Sequence, residues 1–435
     1  MRGSVPLILA SILVISCRSH SNSSAEYCEN DTCESMDGPC FVPRQKGILT
    51  RLEGVRVGHR QEVTLGEDGK YEVITRAMKP LLFEIPNFLS EDECDYIITL
   101  ASENELMNSV AKGGLTEADN WKFDPYIQGK ANGPRGLYEN WDFDLDGKIT
   151  IEEIKKFAKR YRYLYLTDEE VKKIFTDLNL HTFLDDGIIT REEFEHLNTI
   201  LIDSYMYEMG RSHPRHRERF SEQTWLTQEH EDGLLQGIRL RVQALTKLPD
   251  EIIYGSEYIQ VVRYGVDGHY HAHLDSETHE NPEIRCCHQI PNAGTDGRGA
   301  KCKLCRYVTI LYFLNEVPAG GETAFPLADN ATFDKELIGA IRPKQDLYNL
   351  REYCHKSNLV VTPRKGTAIM WYNHFMDPES GWMGEMDPYS IHGGCAVRKG
   401  IKWIANNWIA APYKKHAHVP STYILGPDTS FTEWV

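Results

Sequence analysis

The sequence lacks any long apolar run. Its nearest approach, Val5 to Ser16, is broken by Pro6 and Ser11 and falls short of the ~20 residues that a bilayer requires. No later stretch is long enough to span a membrane. Positive charge is also scarce: 48 Lys and Arg stand against 64 Asp and Glu, a net charge of −16. That argues against a nucleic-acid partner, because binding phosphates needs a basic face. The last residues, Phe431-Thr432-Glu433-Trp434-Val435, are not a receptor-read retention tetrapeptide. What is present is ordinary for a folded protein, with 41% hydrophobic and 26% charged residues. The length of 435 residues suits two to three domains with a large core.

The N-terminus reads as a secretory signal over 1–24: Met1-Arg2, the short apolar run, then small and polar residues from Cys17 to Ala25. A cleaved signal is favoured over a short anchor, and membrane attachment is expected only through this segment. Cysteine usage agrees with the lumen of the endoplasmic reticulum or the secretory pathway. Beyond Cys17 stand Cys28, Cys33, Cys40, Cys94, Cys286, Cys287, Cys302, Cys305, Cys354 and Cys395. Cys286-Cys287 and Cys302-x-x-Cys305 could suggest zinc, but disulfides are favoured in a secreted chain. One pairing would join 286/287 to 302/305. Asn30 and Asn330 are glycosylation acceptors, as is Asn22 if it is retained.

Residues 25–78 form a Cys-containing segment without assigned function. Within it, Gly66-Glu67-Asp68-Gly69 predicts a hairpin turn between Val63-Thr64-Leu65 and Tyr71-Glu72-Val73-Ile74. The run Lys79 to Leu89 predicts a strand entering a helix. Ser90 and Glu93 make its capping box, and Glu91 to Glu103 puts Cys94, Ile97, Ile98 and Ala101 on one face. This opens a domain (79–135) that an acidic insertion at 136–205 interrupts. There, Asp142, Asp144, Asp146, Gly147, Ile149 and Glu153 fit the diagnostic positions of a Ca²⁺ loop, with Lys148 placed to offer its backbone carbonyl. Asp186 to Phe194 repeats the back half of that loop. Its front half, with Thr182 and Leu184 at ligand positions, does not fit unless Asp177 and Asn179 are a displaced start. Paired hands are predicted, the second binding Ca²⁺ weakly or not at all.

Residues 206–415 return to the main domain, and 416–435 form a tail. The stretch Met206 to Gln243 is polar and helical in its second half. Strand-like runs follow at 258–264, 307–315, 358–363, 366–371, 389–397 and 401–410, with Leu327 to Cys354 inserted. Many short strands without intervening helices predict a sandwich or jelly roll. The first run leads into Tyr270-His271-Ala272-His273-Leu274-Asp275. A His-x-Asp pair at a strand end puts an imidazole and a carboxylate on one side, because side chains alternate. That is two-thirds of the facial triad of non-haem Fe(II). His392 offers the third ligand. Lys402, ten residues on in an apolar run, is costly to bury unless a carboxylate meets it.

Tyr-x-x-His-x-Asp, then Tyr307 to Asn315, then Gly320-Gly321-Glu322-Thr323-Ala324-Phe325-Pro326, then His392 with Lys402, together resemble the prolyl 4-hydroxylase group of Fe(II)/2-oxoglutarate dioxygenases from about Lys79 to Pro412. The resemblance implies an α+β fold, with a double-stranded β-helix (jelly-roll) core, supporting helices and the inserted EF-hand lobe. It assigns Fe(II) to His273, Asp275 and His392, and the distal carboxylate of 2-oxoglutarate to Lys402. It sets Tyr264 beside that co-substrate, Thr309 and Phe313 on the strand lining its pocket, and Trp408 near a substrate proline. Some relatives have Tyr in place of Phe313. His271, two residues before His273, could reach the same side, but only His273 completes His-x-Asp. The implied reaction hydroxylates C4 of a peptidyl proline while 2-oxoglutarate and O₂ give succinate and CO₂, with ascorbate as reductant. Collagen-like prolines and a hypoxia-inducible transcription factor are implied targets, although no peptide-binding repeat domain of the collagen enzymes is evident. Endoplasmic-reticulum members of the group carry a longer N-terminal anchor, from which this chain departs. Two alternatives are the same chemistry on lysine and a non-catalytic luminal Ca²⁺-binding protein; the intact His273, Asp275, His392 and Lys402 argue against the second.

Overall fold

A computed structural model describes residues 49–66, 69–109, 123–213, 216–227, 233–276, 285–286, 302–331 and 347–411. The expected signal at 1–24, the acceptors Asn22 and Asn30, and the tail at 416–435 lie outside them.

Nine antiparallel strands form a large sheet. Their order is Arg60–Thr64, Lys70–Met78, Leu81–Ile85, Ala368–Tyr372, Arg306–Phe313, Lys402–Ala410, Ile259–Tyr264, Glu222–Leu226 and Met107–Asn108. Five more make a small sheet in the order Leu359–Val361, Thr323–Phe325, His392–Gly394, His269–His273 and Arg219–Phe220. The central strand of the large sheet is buried from Tyr307 to Phe313, because both of its faces are covered. Side chains alternate along it. Val308, Ile310 and Tyr312 share a core with Ile97 of helix Glu91–Glu103 and with Leu235, Ile238 and Val242 of helix Gly233–Thr246. Leu311 and Phe313 turn the other way and pack with Phe325 and Val361 of the small sheet.

The predicted break at residue 79 does not separate the segment before it. Val63, Leu65 and Val73 alternate into the helix-side core, and a strand edge whose one face is apolar is stabilised by pairing with the sheet rather than standing apart. The small sheet is covered outside by Leu350, Ile391 and Cys395. There Cys354 and Cys395 form a disulfide with Cα atoms 5.6 Å apart. Cys305 is disulfide-bonded too, and Cys94 is free and buried.

Residues 138–206 build a second core around Trp141, which stacks on Phe157 with ring centres 3.7 Å apart. Helices Ile151–Arg162, Asp168–Asp177 and Arg191–His196 each start with a Thr-x-x-Glu capping box, which satisfies amide donors that a helix start leaves open. A ribbon pairs Lys148–Thr150 with Ile188–Thr190, Ile149 facing Ile189. The last helix, Thr199–Ser212, runs past the predicted limit at 205 because Met206 still belongs to this core. The lobe touches the small sheet where Tyr165 lies 3.8 Å over the ring of His271. Among the described residues no helix is long and apolar enough to cross a membrane.

Candidate metal centre

Strands His269–His273 and His392–Gly394 pair with His273 opposite His392, and the register shifts by one residue between Tyr270 and His273. An extra residue in one strand turns consecutive side chains to the same face. Tyr270 and His273 therefore both look inward and stack at 3.6 Å, whereas Ala272 packs in the outer cluster. His271 shares that outer side: its Nδ1 accepts from the Leu350 amide at 3.2 Å, and burial keeps the ring neutral. The expectation that His271 could reach the same side as His273 fails because strict alternation is broken between them.

His273, Asp275 and His392 bring one ligand atom each within 4.8 Å of one another. Nε2 of each imidazole stands 3.6 Å from an Asp275 oxygen. Nδ1 of His273 lies 2.8 Å from the His271 carbonyl, and Nδ1 of His392 lies 2.9 Å from the Ser390 carbonyl. A carbonyl only accepts, so each Nδ1 carries a proton and each Nε2 is the atom left to face Asp275, the orientation that metal-binding histidines take. Burial pushes His392 down to about 4 despite the opposing pull of Asp275. Burial alone would raise Asp275, but His392, His273 and Arg306 outweigh it and hold the carboxyl well below the usual range. Two imidazoles and one carboxylate converging at this spacing suit a divalent transition metal.

Asp275 Oδ2 accepts from the Thr309 hydroxyl at 2.7 Å and from the Trp408 indole N–H at 3.0 Å. Thr309 and Trp408 are cross-strand partners in the large sheet, so one row of the sheet reaches one oxygen. Arg306, ion-paired with Glu257 at 2.6 Å, donates to the Asp275 carbonyl at 3.3 Å and covers the Trp408 ring. The resemblance implies Thr309 on the strand lining the co-substrate pocket and Trp408 near a substrate proline; in the fold both donate to Asp275 Oδ2.

Lys402 is 1% exposed and lies opposite Tyr264 across two strands. Its ammonium is 5.5 Å from the Tyr264 ring and 5.8 Å from that of Phe313. Its hydrogen-bonding neighbour is the Thr323 hydroxyl, at 3.4 Å. Among the described residues no carboxylate pairs with it. Burial pushes it down to about 7, with Glu322 opposing weakly. A buried ammonium without a counter-charge is costly, and a ligand carboxylate would remove that cost. Thr323 was missed in the sequence although it follows Gly320-Gly321-Glu322. The tight turn was the signal: Gly320 has φ +73, and a Cβ there would stand 2.2 Å from the Ala396 carbonyl.

In the lobe, Asp142, Asp144 and Asp146 converge within 4.8 Å. Asp142 is buried, and its Oδ1 has no hydrogen-bond partner among the described residues. Gly147, φ +87, makes the turn. The Lys148 amide donates to Asp146, and Glu153 accepts from the amides of Phe143 and Thr150. The second loop makes no such trio among the described residues. Thr182 and Leu184 lie in a short 3₁₀ turn, His181–Leu184, and Asp177 is taken by Lys173 and Tyr205. Asn330 is half-buried, and its carbonyl accepts from Tyr389.

Residues 259–410 match the 2OG-Fe(II) oxygenase superfamily. Over 411 residues the chain is 36% identical to the transmembrane prolyl 4-hydroxylases of Homo sapiens and Mus musculus, covering 93% of this chain and 78% of each relative. It is 28% identical over 276 residues to probable prolyl 4-hydroxylase 4 of Arabidopsis thaliana, covering 62% of this chain and 80% of that one. With both imidazoles, the carboxylate and the buried ammonium lying inside the matched stretch, this chain belongs to the prolyl 4-hydroxylase family of 2OG-Fe(II) oxygenases.

Proposed function

We propose that this chain hydroxylates peptidyl proline at C4, with Fe(II) held by His273, Asp275 and His392 and 2-oxoglutarate held by Lys402. The observation that carries this is a His₂Asp trio beside a buried ammonium that no described carboxylate neutralises. Bound Fe(II), with 2-oxoglutarate and dioxygen, supplies the oxidising chemistry. The chain supplies position and charge. Lys402 and the Thr323 hydroxyl hold the distal carboxylate, and Tyr264 with Phe313 keeps that end dry. The Nδ1 bonds to backbone carbonyls fix both imidazole planes. Trp408 is buried, with Arg306 over its ring and Trp225 5.9 Å away, and we read it as part of the wall nearest a bound prolyl ring. We read the two facing sheets as a jelly roll. The lobe is read as a pair of EF-hands whose first loop binds Ca²⁺ through Asp142, Asp144, Asp146, the Lys148 carbonyl and Glu153; the unpartnered Asp142 oxygen supports this. The Cys354–Cys395 disulfide supports a luminal or secretory location.

The test is a turnover assay of the full chain with proline-containing peptides, Fe(II), 2-oxoglutarate and ascorbate, read by mass spectrometry and succinate release. The expected result is one added oxygen on proline with one succinate formed. Succinate formation indifferent to Fe(II) would sink the reading, and oxygen found on lysine would replace the substrate.

A further inference from the structure

Asp275 is held at the end of a buried relay. Trp371, Asn373 and Thr309 are each fully buried. The Trp371 indole donates to Asn373 Oδ1 at 2.9 Å, Asn373 Nδ2 donates to Thr309 Oγ1 at 2.8 Å, and Thr309 donates to Asp275 Oδ2 at 2.7 Å. The direction of every proton is forced. An indole N–H can only donate, so the Asn373 carbonyl must face it. The amide NH₂ therefore faces Thr309, whose oxygen must accept. The single hydroxyl proton is left for Asp275. The Asn373 backbone is fixed as well, its amide donating to the Tyr307 carbonyl and its carbonyl accepting from the Asp387 amide. A second indole, Trp408, reaches the same Oδ2 directly.

Oδ2 takes both the hydroxyl and the indole donor and has His392 Nε2 at 3.6 Å, whereas Oδ1 faces His273 Nε2 at 3.6 Å and takes neither of those donors. A carboxylate that bound a metal through both oxygens would occupy one more coordination position than a carboxylate bound through one. A His₂-carboxylate site must keep positions open. Resting on the reading of His273, Asp275 and His392 as metal ligands, we propose that Thr309 and Asn373 are positioning residues that hold Asp275 to one-oxygen binding. Both act through Asp275: Thr309 donates to it and Asn373 donates to Thr309.

The experiment uses the full chain without oxygen, titrated with Fe(II) in the presence of 2-oxoglutarate. It is read by the visible charge-transfer band that a keto acid gives when chelated to ferrous iron. Thr309→Val removes the hydroxyl at constant shape. Asn373→Asp keeps the volume, replaces a donor by an acceptor, and carries the test should Thr309→Val fail to fold. Both are expected to weaken Fe(II) binding about 10-fold or more, as changes behind metal ligands commonly do, and to shift the band. Thr309→Ser is expected to stay within about twofold of the unaltered chain. If both variants keep the affinity and the band, the relay is overturned. If Thr309→Ser fails as Thr309→Val does, the methyl rather than the hydroxyl matters and the relay is again overturned. A missing band in the unaltered chain would overturn the metal reading itself, an outcome distinct from either.

Discussion

Two trios of potential ligands in this chain are built in opposite ways. Asp142, Asp144 and Asp146 come from five consecutive residues of one loop, and two of the three are exposed. His273, Asp275 and His392 come from two paired strands of the small sheet and the turn after one of them. Asp275 and His392 are buried. The loop concentrates negative charge and hard oxygens, which suits a cation that tolerates variable geometry. The sheet pocket has one negative charge and two imidazoles, with each partner atom fixed from behind. Local sequence can make a flexible oxygen cage by itself. A site that must keep positions open needs two sheets to hold it.

The contrast can be broken at either trio. The largest effect is expected from His273→Ala or Asp275→Ala: turnover falls at least about 1,000-fold, since the metal no longer binds, while Ca²⁺ binding to the lobe does not change. Full activity in either variant would refute the ligand assignment. Next comes Lys402→Met, expected to raise the concentration of 2-oxoglutarate needed for half-maximal binding by about 100-fold, from loss of a buried charged hydrogen bond. The same change should stabilise the ligand-free protein by roughly 1–3 kcal/mol, because it removes an unpaired buried charge. Chemical denaturation would measure that.

The pH dependence has a definite sign. Folding lowers Lys402 from 10.5 to about 7, so across that window the unfolded chain holds the additional proton. This lysine therefore makes the ligand-free fold gain stability as pH rises from about 7 towards 10.5. Binding of 2-oxoglutarate, which needs the ammonium, should weaken over the same rise and take up a proton. Calorimetry in buffers of different ionisation enthalpy would show it. The smallest effect is expected from Glu153→Gln. It should lower Ca²⁺ affinity about 10-fold by loss of a charged ligand, keep the capping box, in which Gln can replace Glu, and leave Fe(II) affinity within about twofold. A larger change in Fe(II) affinity would show that the two trios are coupled through Tyr165 and His271.

Much of the site is visible in residue order. His-x-Asp, a later histidine and a lysine in an apolar run mark what the sheets bring together. The helix Glu91–Glu103 and its capping box are legible because local spacing and a local hydrogen bond set them. The twelve-residue acidic loop is legible for the same reason. What escaped depends on tertiary geometry. The register shift after Tyr270 turns His271 away from the pocket, and no local residue pattern announces it. Thr309 and Thr323 look equivalent as strand threonines, yet one meets a carboxylate and the other an ammonium, according to where along the sheets each one lands. The pairing of Cys354 with Cys395 joins an insertion to the residue just after strand His392–Gly394 and has no signature in spacing.

The lobe's point of departure carries a last consequence. The chain leaves the large sheet at Ser109 and is back in it at Ser221, and the amide of the first donates to the carbonyl of the second at 2.8 Å. Its exit and re-entry are thus hydrogen-bonded neighbours on one sheet margin. Closing a longer excursion between two such fixed points costs only logarithmically more entropy. A whole helical lobe could therefore be spliced in at this margin at small thermodynamic expense, and its growth or shortening would be felt by the sheets where Tyr165 leans on His271.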